Sequence, residues 1–163
     1  MKRRLKVITA EVKASARESV LCWLATANAA GEPNVSPKEM FVVEGDDRLL
    51  IANIASPTSV RNILQNTAVS VSFIHVFKEK GYKLKGNARI ILPTDPAYGT
   101  KVAPLLKMTG DRFPIKSVIE VTVTAVSAII APSYWLYPDE TTEAGKMVQA
   151  MQTYGVAPGG EIK

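Results

Sequence analysis

The chain of 163 residues contains one cysteine and one histidine, and each scarcity excludes a class of site. With Cys22 as the single thiol, no internal disulfide can form, which fits a reducing compartment. Cys22 lies in the apolar run 20–25 and is expected to be a buried structural residue rather than a nucleophile. His75 has no metal-ligand cluster or nucleophile at a recognisable spacing, so no metal site is predicted and a structural role is favoured.

Long apolar runs are also missing. No segment approaches the roughly 20 apolar residues of a membrane span, and the basic start at residues 1–6 is not followed by the apolar core of a signal peptide. We therefore expect a cytoplasmic protein that does not enter a membrane. Repeats are absent, and the length predicts a single domain over residues 1–163, with a core at about 15–131 and a C-terminal helix and tail at 132–163.

The net charge is +5, and the basic residues fall in two groups. One occupies residues 1–6, and the other surrounds a predicted strand and consists of Lys78, Lys80, Lys83, Lys85 and Arg89. No basic surface with interleaved aromatic residues is predicted, and neither zinc-ligand spacing nor a helix-turn-helix pattern is present, which argues against nucleic-acid binding. Alternation along the strand defines a polar face that either is solvated or attracts an anionic substrate; its members are Lys83, Lys85, Asn87 and Arg89.

Short apolar or alternating runs bounded by turn residues predict six strands, at 20–28, 33–43, 48–54, 68–77, 81–92 and 117–131. Helices are predicted at 9–19, from Asp95 and Pro96 to a break or kink at Pro104, and from Thr141 or Thr142 to Gly155. A further helix lies between the third and fourth strands. Tight turns join most of the strands, so the expected fold is mainly β, a small six-stranded antiparallel barrel with added helices.

The most informative segment, 50–66, runs from an apolar strand through a turn of small residues into a helix with hydroxyls at its start. Ser56 occupies the N-cap position and Pro57 the first helical position. The free N–H groups of the first turn and the positive end of the helix dipole would face an anion at Thr58 and Ser59.

Helical spacing divides this segment into two faces. The polar face consists of Thr58, Arg61 and Asn62, and the apolar face of Val60, Ile63 and Leu64. A phosphate at the polar face would meet hydroxyls, amides and one guanidinium. The pattern therefore predicts a phosphate site, with ordinary helix capping and no ligand as the alternative.

Three segments, 24–38, 50–62 and 81–89, resemble the pyridoxamine-phosphate-oxidase-like flavin-binding split-barrel family in sequence and in order. The resemblance covers roughly residues 15–130. It implies a split barrel that forms a homodimer, with flavin mononucleotide (FMN) in a groove between the two subunits. It also implies transfer of hydride or electrons through FMN between an electron donor and a small-molecule substrate, neither of which the sequence identifies.

The resemblance assigns cofactor contacts by position. They are Ser36, Pro37, Lys38 and Glu39 along the isoalloxazine ring, Asn53 and Ile54 in the same groove, and Thr58, Ser59, Arg61 and Asn62 around the phosphate. Many members of the family carry a lysine in the slot that Thr58 occupies here. Arg61, one helical turn further on, is the candidate for the replacement charge, because arginine can pair a phosphate through two N–H bonds.

Two of these residues and a further candidate, Trp135, have a second interpretation. Lys38 either complements negative charge on the reduced ring or the phosphate, or is a solvated strand residue. Glu39 either hydrogen-bonds the flavin or the substrate, or is an exposed carboxylate. Trp135 either contacts the flavin ring in the partner subunit or packs the C-terminal helix against the barrel.

The expected function is that of an FMN-dependent oxidoreductase, in which the cofactor carries the chemistry. A true pyridoxamine-phosphate oxidase is not expected, because the additional basic residues of its substrate-phosphate site are not matched. No catalytic acid or base is identified. One alternative is a non-catalytic flavin-binding or sensor module. Another is the same barrel with a deazaflavin or a haem, and a haem would need His75 as its axial ligand.

Overall fold

The computed structural model describes residues 7–159. The basic group at residues 1–6 and the last part of the predicted tail, 160–163, lie outside the described residues. Within residues 7–159, no helix is both long enough and apolar enough to cross a membrane.

The described chain is mainly β, as predicted. Its strands are β1 (Cys22–Ala27), β2 (Pro33–Lys38), β3 (Phe41–Glu44), β4 (Arg48–Asn53), β5 (Ala68–His75), β6 (Lys80–Ile91) and β7 (Ser117–Ile130). Its helices are α1 (Ala10–Glu18), α2 (Pro57–Gln65), α3 (Tyr98–Thr109), α4 (Ser133–Leu136) and α5 (Glu143–Tyr154). The predicted cap of α1 is confirmed, because the Thr9 hydroxyl accepts a hydrogen bond from the Val12 N–H.

The order of the strands shows how the sheet closes. The antiparallel strands follow the order β2-β1-β5-β6-β7-β4-β3, so β2 and β3, which are consecutive in the chain, form its two edges. Two residues, Glu39 and Met40, connect these edges. Three steps between Cα atoms span at most about 11 Å. The end of β2 and the start of β3 must therefore lie close together, and the sheet is curled into a half-barrel whose two edge strands meet at this bend.

The single strand predicted at 33–43 is wrong, and the sheet has seven strands rather than six. Lys38 at the end of β2 pairs with Cys22 of β1, whereas Phe41 at the start of β3 pairs with Ile51 of β4. The chain thus changes edges at a two-residue bend. Glutamate and methionine are not typical turn residues, so the local sequence does not mark this break.

Strand β4 is buried on both faces. Leu49 and Ile51 belong to the main core inside the half-barrel, while Leu50 and Ala52 belong to a second cluster. Leu105 of α3 is part of that second cluster. The strand therefore has a continuous apolar sequence, and α3 shields its outer side from water.

Helix α3 starts later than predicted, and it continues past Pro104 rather than ending there. It begins at Tyr98, because Asp95 forms a turn in which its carboxylate accepts the Ala97 N–H at 2.8 Å. Pro104 does not end the helix. The carbonyl that loses its partner, four residues before Pro104, belongs to exposed Thr100, where water can bind it.

A buried ion-pair network attaches α3 to the sheet. The Glu120 side chain of β7 is 1 % exposed, and its Oε1 accepts hydrogen bonds from Arg89 Nε at 2.7 Å and Arg48 Nη1 at 3.0 Å. Its Oε2 lies 2.8 Å from Nζ of Lys101, which also contacts Glu44. Burial alone would raise the pKa of Glu120, but the three cations outweigh burial and lower it.

Strands β6 and β7 form the longest antiparallel pair of the sheet, and a bulge interrupts the pairing between Lys85 and Gly86. Thr124 is the extra residue of β7 at this point. A Cβ atom at Gly86 would lie 2.2 Å from the Thr122 carbonyl oxygen. The close approach of the two backbones therefore leaves room only for glycine here.

The last helix, α5, has the predicted boundaries. The Thr142 hydroxyl caps its first turn, and Gly155 ends it in the left-handed conformation. Glu143 in the first turn accepts a hydrogen bond from Lys80 of β6 at 3.0 Å. This contact fixes the start of α5 against the β5–β6 hairpin.

Candidate functional site

A chain of hydrogen-bonded polar side chains runs along the seam where α2 packs against β1 and β2. Its members are Thr26, Asn34, Ser36, Lys38, Ser56, Ser59 and Asn62. All of them are buried or half-buried. The network therefore fixes the inward side chains of β2 relative to the N-terminus of α2.

Lys38 lies at one end of this network. Its Nζ donates hydrogen bonds to Ser36 Oγ at 2.7 Å and to Ser56 Oγ at 2.6 Å. The residue is 7 % exposed, so its interpretation as a solvated strand residue is wrong. Burial lowers the pKa of the Lys38 ammonium.

Ser56 occupies the predicted N-cap position and Pro57 the first helical position, but the Ser56 hydroxyl makes no capping hydrogen bond. Its oxygen instead accepts a hydrogen bond from the Lys38 ammonium. The Ser56 N–H donates to Asn53 Oδ1 at 3.2 Å, and Asn53 Nδ2 donates to Ser117 Oγ at 2.8 Å. Asn53 therefore positions the turn before α2, and it is buried.

Ser59 and Asn62, predicted as phosphate contacts, both point into the protein. Ser59 Oγ lies 3.1 Å from Ser36 Oγ, and the residue is 1 % exposed. Asn62 Nδ2 donates to Thr26 Oγ1 at 3.1 Å. The structure therefore gives both side chains a packing role between α2 and the strands.

Thr58 and Arg61 remain at the surface. Arg61 Nη2 donates to Thr58 Oγ1 at 3.3 Å, so the two side chains do point together as predicted. The predicted apolar face is correct for buried Ile63 and wrong for Leu64, which is 72 % exposed. Ser59 and Asn62 occupy the buried side of α2. The side of the helix that faces the core is therefore not the one that its apolar residues indicate.

Two concave sites flank this seam. The first, the apolar groove, has a volume of about 270 Å³ and is lined by Pro37, Lys38, Glu39, Met40, Ala52, Ile54, Ala55, Ser56 and Phe113. It lies at the bend between β2 and β3. Four of the predicted ring contacts, at positions 37, 38, 39 and 54, are thus brought together in one groove.

The second site, the polar pocket, has a volume of about 390 Å³ and is lined by Asn28, Glu32, Pro33, Asn34, Thr58, Arg61, Asn62 and Gln65. It contacts the beginning of β2, whereas the apolar groove contacts its end. Asn34 of the polar pocket and Lys38 of the apolar groove lie four residues apart on the extended strand β2, so their Cα atoms are about 13 Å apart. One elongated ligand lying along β2 could therefore occupy both.

Sequence reasoning missed part of the apolar groove. Phe113 follows the short 3-10 turn Gly110–Arg112 and reaches the groove from a distant part of the chain. Met40 and Ala52 meet there because the Ala52 N–H donates to the Met40 carbonyl at 2.9 Å. No local pattern signals these contacts, since they depend on the closure of the half-barrel.

Trp135, the remaining predicted contact, lies on α4 and is 66 % exposed. It lines neither the apolar groove nor the polar pocket. His75 lies at the end of β5, where its Nδ1 accepts the Lys78 N–H at 3.2 Å. Across residues 7–159, no three side chains of His, Cys, Asp or Glu are grouped closely enough to hold a metal ion.

The basic face of β6 has the predicted alternation. Lys83, Lys85, Asn87 and Arg89 are exposed, and the residues between them are buried or half-buried. Arg89 is paired with Glu120. Cys22 is fully buried as predicted, and burial raises the pKa of its thiol to about 12.

Comparison with solved structures identifies the fold. HupZ from Group A Streptococcus is 22% identical over 76% of this chain and 98% of that chain, with a TM-score of 0.63. An FMN-binding protein from Syntrophomonas wolfei is 13% identical over 74% and 84% of the two chains, with a TM-score of 0.63. HutZ from Vibrio cholerae, described as a haem storage protein, is 18% identical over 77% and 95%, with a TM-score of 0.60.

An F420 reductase also shares the fold, at 21% identity and a TM-score of 0.56. No curated protein matches this sequence. The family model of pyridoxamine 5'-phosphate oxidase matches residues 8–130, which include every strand of the half-barrel and most of the predicted cofactor contacts. The chain therefore belongs to the pyridoxamine 5'-phosphate oxidase-like split-barrel family.

Proposed function

We propose that the protein binds FMN along β2 and transfers hydride or electrons through it to a small-molecule substrate. The observation that carries this proposal is the pair of sites on one seam, an apolar groove that contains a buried cation and a polar pocket that contains Arg61. A flavin needs flat apolar walls for its ring and a cationic, N–H-rich end for its phosphate. The FMN-binding relative from Syntrophomonas wolfei supports the same assignment.

The residues of each site suit one part of the cofactor. Pro37, Ile54 and Phe113 provide apolar surface for the ring, and Glu39 lies at the same groove. Thr58 and Arg61 offer a hydroxyl and a guanidinium to the phosphate. When bound, the cofactor supplies the redox chemistry, and the protein supplies its position, its electrostatic surroundings and its protection from water.

We also propose that a homodimer completes the site. Trp23 and Val35 are exposed on the outer face of β1 and β2, and Val20 is exposed just before β1, although apolar side chains of this size are more often buried. Trp23 pairs across the strands with Pro37, so this apolar face continues into the apolar groove. A second copy seated here would cover the groove, and Trp135 of that copy remains a candidate ring contact.

Other cofactors and roles remain as alternatives. The F420 reductase supports a deazaflavin, and HutZ supports a haem, which would require an axial ligand such as His75. A flavin-binding or sensor module without turnover would hold FMN but would not accept hydride from a nicotinamide donor. We keep the cytoplasm as the proposed location, in agreement with the single reduced thiol of Cys22.

Titration of the purified protein with FMN and with riboflavin tests the proposal. Arg61→Ala is expected to weaken FMN binding about tenfold or more, since a hydrogen bond to a charged group contributes about 1.5–3 kcal/mol. Riboflavin, which has no phosphate, should bind both proteins equally. Arg17→Ala, at an exposed position of α1, is the matched control and should bind both ligands like the wild type.

Three results would contradict the proposal. Equal losses of FMN and riboflavin affinity in Arg61→Ala would exclude Arg61 as the phosphate contact. A colourless protein that rejects added FMN would exclude the cofactor and favour the deazaflavin alternative. A sedimentation mass of one chain in the FMN-loaded sample would exclude the homodimer.

A further inference from the structure

Lys38 is an exception among the buried cations of the described chain. Lys101 and Lys146, whose side chains are 17% and 14% exposed, each lie within 2.8 Å of a carboxylate oxygen. Lys38 is more buried than either, and within residues 7–159 its recorded hydrogen bonds go to the hydroxyls of Ser36 and Ser56. A buried ammonium without a carboxylate partner is costly unless some other group balances it.

Among the described residues, the elements packed against Lys38 supply it with no negative charge. Cys22 lies directly opposite on β1, and burial raises the pKa of its thiol to about 12, so the thiol is neutral at pH 7. Ser36 and Ser56 are neutral, and Asn53 lies behind Ser56. The N-terminus of α2, which begins one residue after Ser56, adds positive potential. Glu39 also lines the groove, but it is exposed to solvent.

The position of Lys38 shows which part of a ligand could balance this charge. Lys38 lines the apolar groove, where its ammonium contacts Ser56 at the start of α2, whereas Thr58 and Arg61 line the polar pocket, which Lys38 does not reach. If the phosphate occupies the polar pocket, the group next to Lys38 is the ring. A neutral ring does not compensate a buried ammonium, but a ring with an added negative charge does.

We propose that Lys38 sets the redox preference of the apolar groove, so that the site binds the anionic reduced flavin ring more tightly than the neutral oxidised ring. This inference rests on the proposed function. Transfer of a hydride, which carries two electrons and one proton, from a donor of the nicotinamide class adds one negative charge to the ring system. The Lys38 ammonium balances that charge, and the hydroxyls of Ser36 and Ser56 hold the ammonium in place.

The experiment is a measurement of the reduction potential of FMN bound to the wild type, Lys38→Met and Lys38→Arg. Each loaded protein is reduced stepwise with dithionite beside a reference dye. In Lys38→Met the ratio of affinities for reduced and oxidised FMN is expected to fall about tenfold or more, because opposite charges attract strongly at a partly buried site. A tenfold change corresponds to a potential about 30 mV more negative for a two-electron couple.

Lys38→Arg keeps the charge and is expected to restore much of the wild-type potential. Lys107→Met, at an exposed position of α3, is the matched control and should leave the potential unchanged. Circular dichroism of each variant identifies any protein that fails to fold. If Lys38→Met does not fold, the comparison of Lys38→Gln with Lys38→Arg takes its place.

The outcomes separate this inference from the proposed function. Failure of the wild type to bind FMN overturns the proposed function. Bound FMN with the same potential in the wild type and Lys38→Met overturns the inference alone. A loss of FMN affinity without a loss of riboflavin affinity in Lys38→Met makes Lys38 a phosphate ligand and also overturns the inference.

Discussion

Replacement of Glu120 with glutamine removes the shared anion of the buried network and keeps the shape of the side chain. Arg48 and Lys101, whose side chains are 25% and 17% exposed, then lose that anion and keep their contacts with Asp47 and Glu44. Breaking a buried ion pair costs about 3–5 kcal/mol. Arg89 is 56 % exposed and can turn toward water, so we expect about 3 kcal/mol, at the lower end of this range.

Urea unfolding at fixed protein concentration measures this loss. With a slope of about 2 kcal/mol per molar urea, the midpoint of Glu120→Gln should lie about 1.5 M below that of the wild type. Glu140→Gln is the control, because Glu140 is exposed, and its midpoint should move by less than about 0.3 M. A midpoint of Glu120→Gln that moves no further than the control would refute the assignment of this network to stability.

The same reasoning can be tested at acid pH, because it fixes the direction in which the stability difference must change. The pKa of Glu120 is lowered from its usual value of 4.5, so its contribution is complete above the unfolded pKa and declines as pH falls through the folded one. The difference in stability between wild type and Glu120→Gln should therefore be constant from neutral pH to about 5 and shrink as the pH falls further. A difference that grows on acidification would contradict the role of the ionised carboxylate.

Two further predictions concern Gly86 and Cys22. Gly86→Ala should destabilise the protein by more than about 3 kcal/mol in urea unfolding, because its Cβ would overlap the Thr122 carbonyl oxygen. A Cβ at Gly99 would meet no other atom, so Gly99→Ala should change stability by about 1 kcal/mol at most. Equal effects would show that the bulge accommodates a side chain. Cys22 should resist a thiol reagent at about pH 8 in the native protein and react once per chain after unfolding, because burial raises its pKa to about 12. Rapid labelling of the native protein would show that the thiol is exposed.

Much of the fold follows from local pattern. The strand predictions at 48–54, 68–77, 81–92 and 117–131 match β4 to β7, because turn residues and apolar composition mark these runs. The break within 33–43 was not predicted, because it depends on which strands pair with each other and not on the local sequence. Lys38 and Phe41 are three residues apart, yet they pair with strands at opposite ends of the sheet order.

The position of the candidate site could be predicted from the sequence, but the direction in which its side chains point could not. Strand β2 reverses the usual pattern, since Asn34, Ser36 and Lys38 face inward while Val35 and Pro37 face outward. Polar residues at alternate positions normally indicate a solvated face. Here their inward direction is set by hydrogen bonds to the side chains of α2 and β1, partners that no sequence window contains.

The covalent link between the two edges of the sheet has a consequence for solubility. An open edge strand presents unpaired N–H and C=O groups that can pair with another chain and begin aggregation. Here the bend at Glu39 and Met40 ends β2 after six residues and begins β3, which has four, so both edge strands are short. Strand β2 also contains Pro33 and Pro37, which have no N–H with which to pair. The same bend that places Lys38 beside the apolar groove therefore leaves little open edge for another chain to extend.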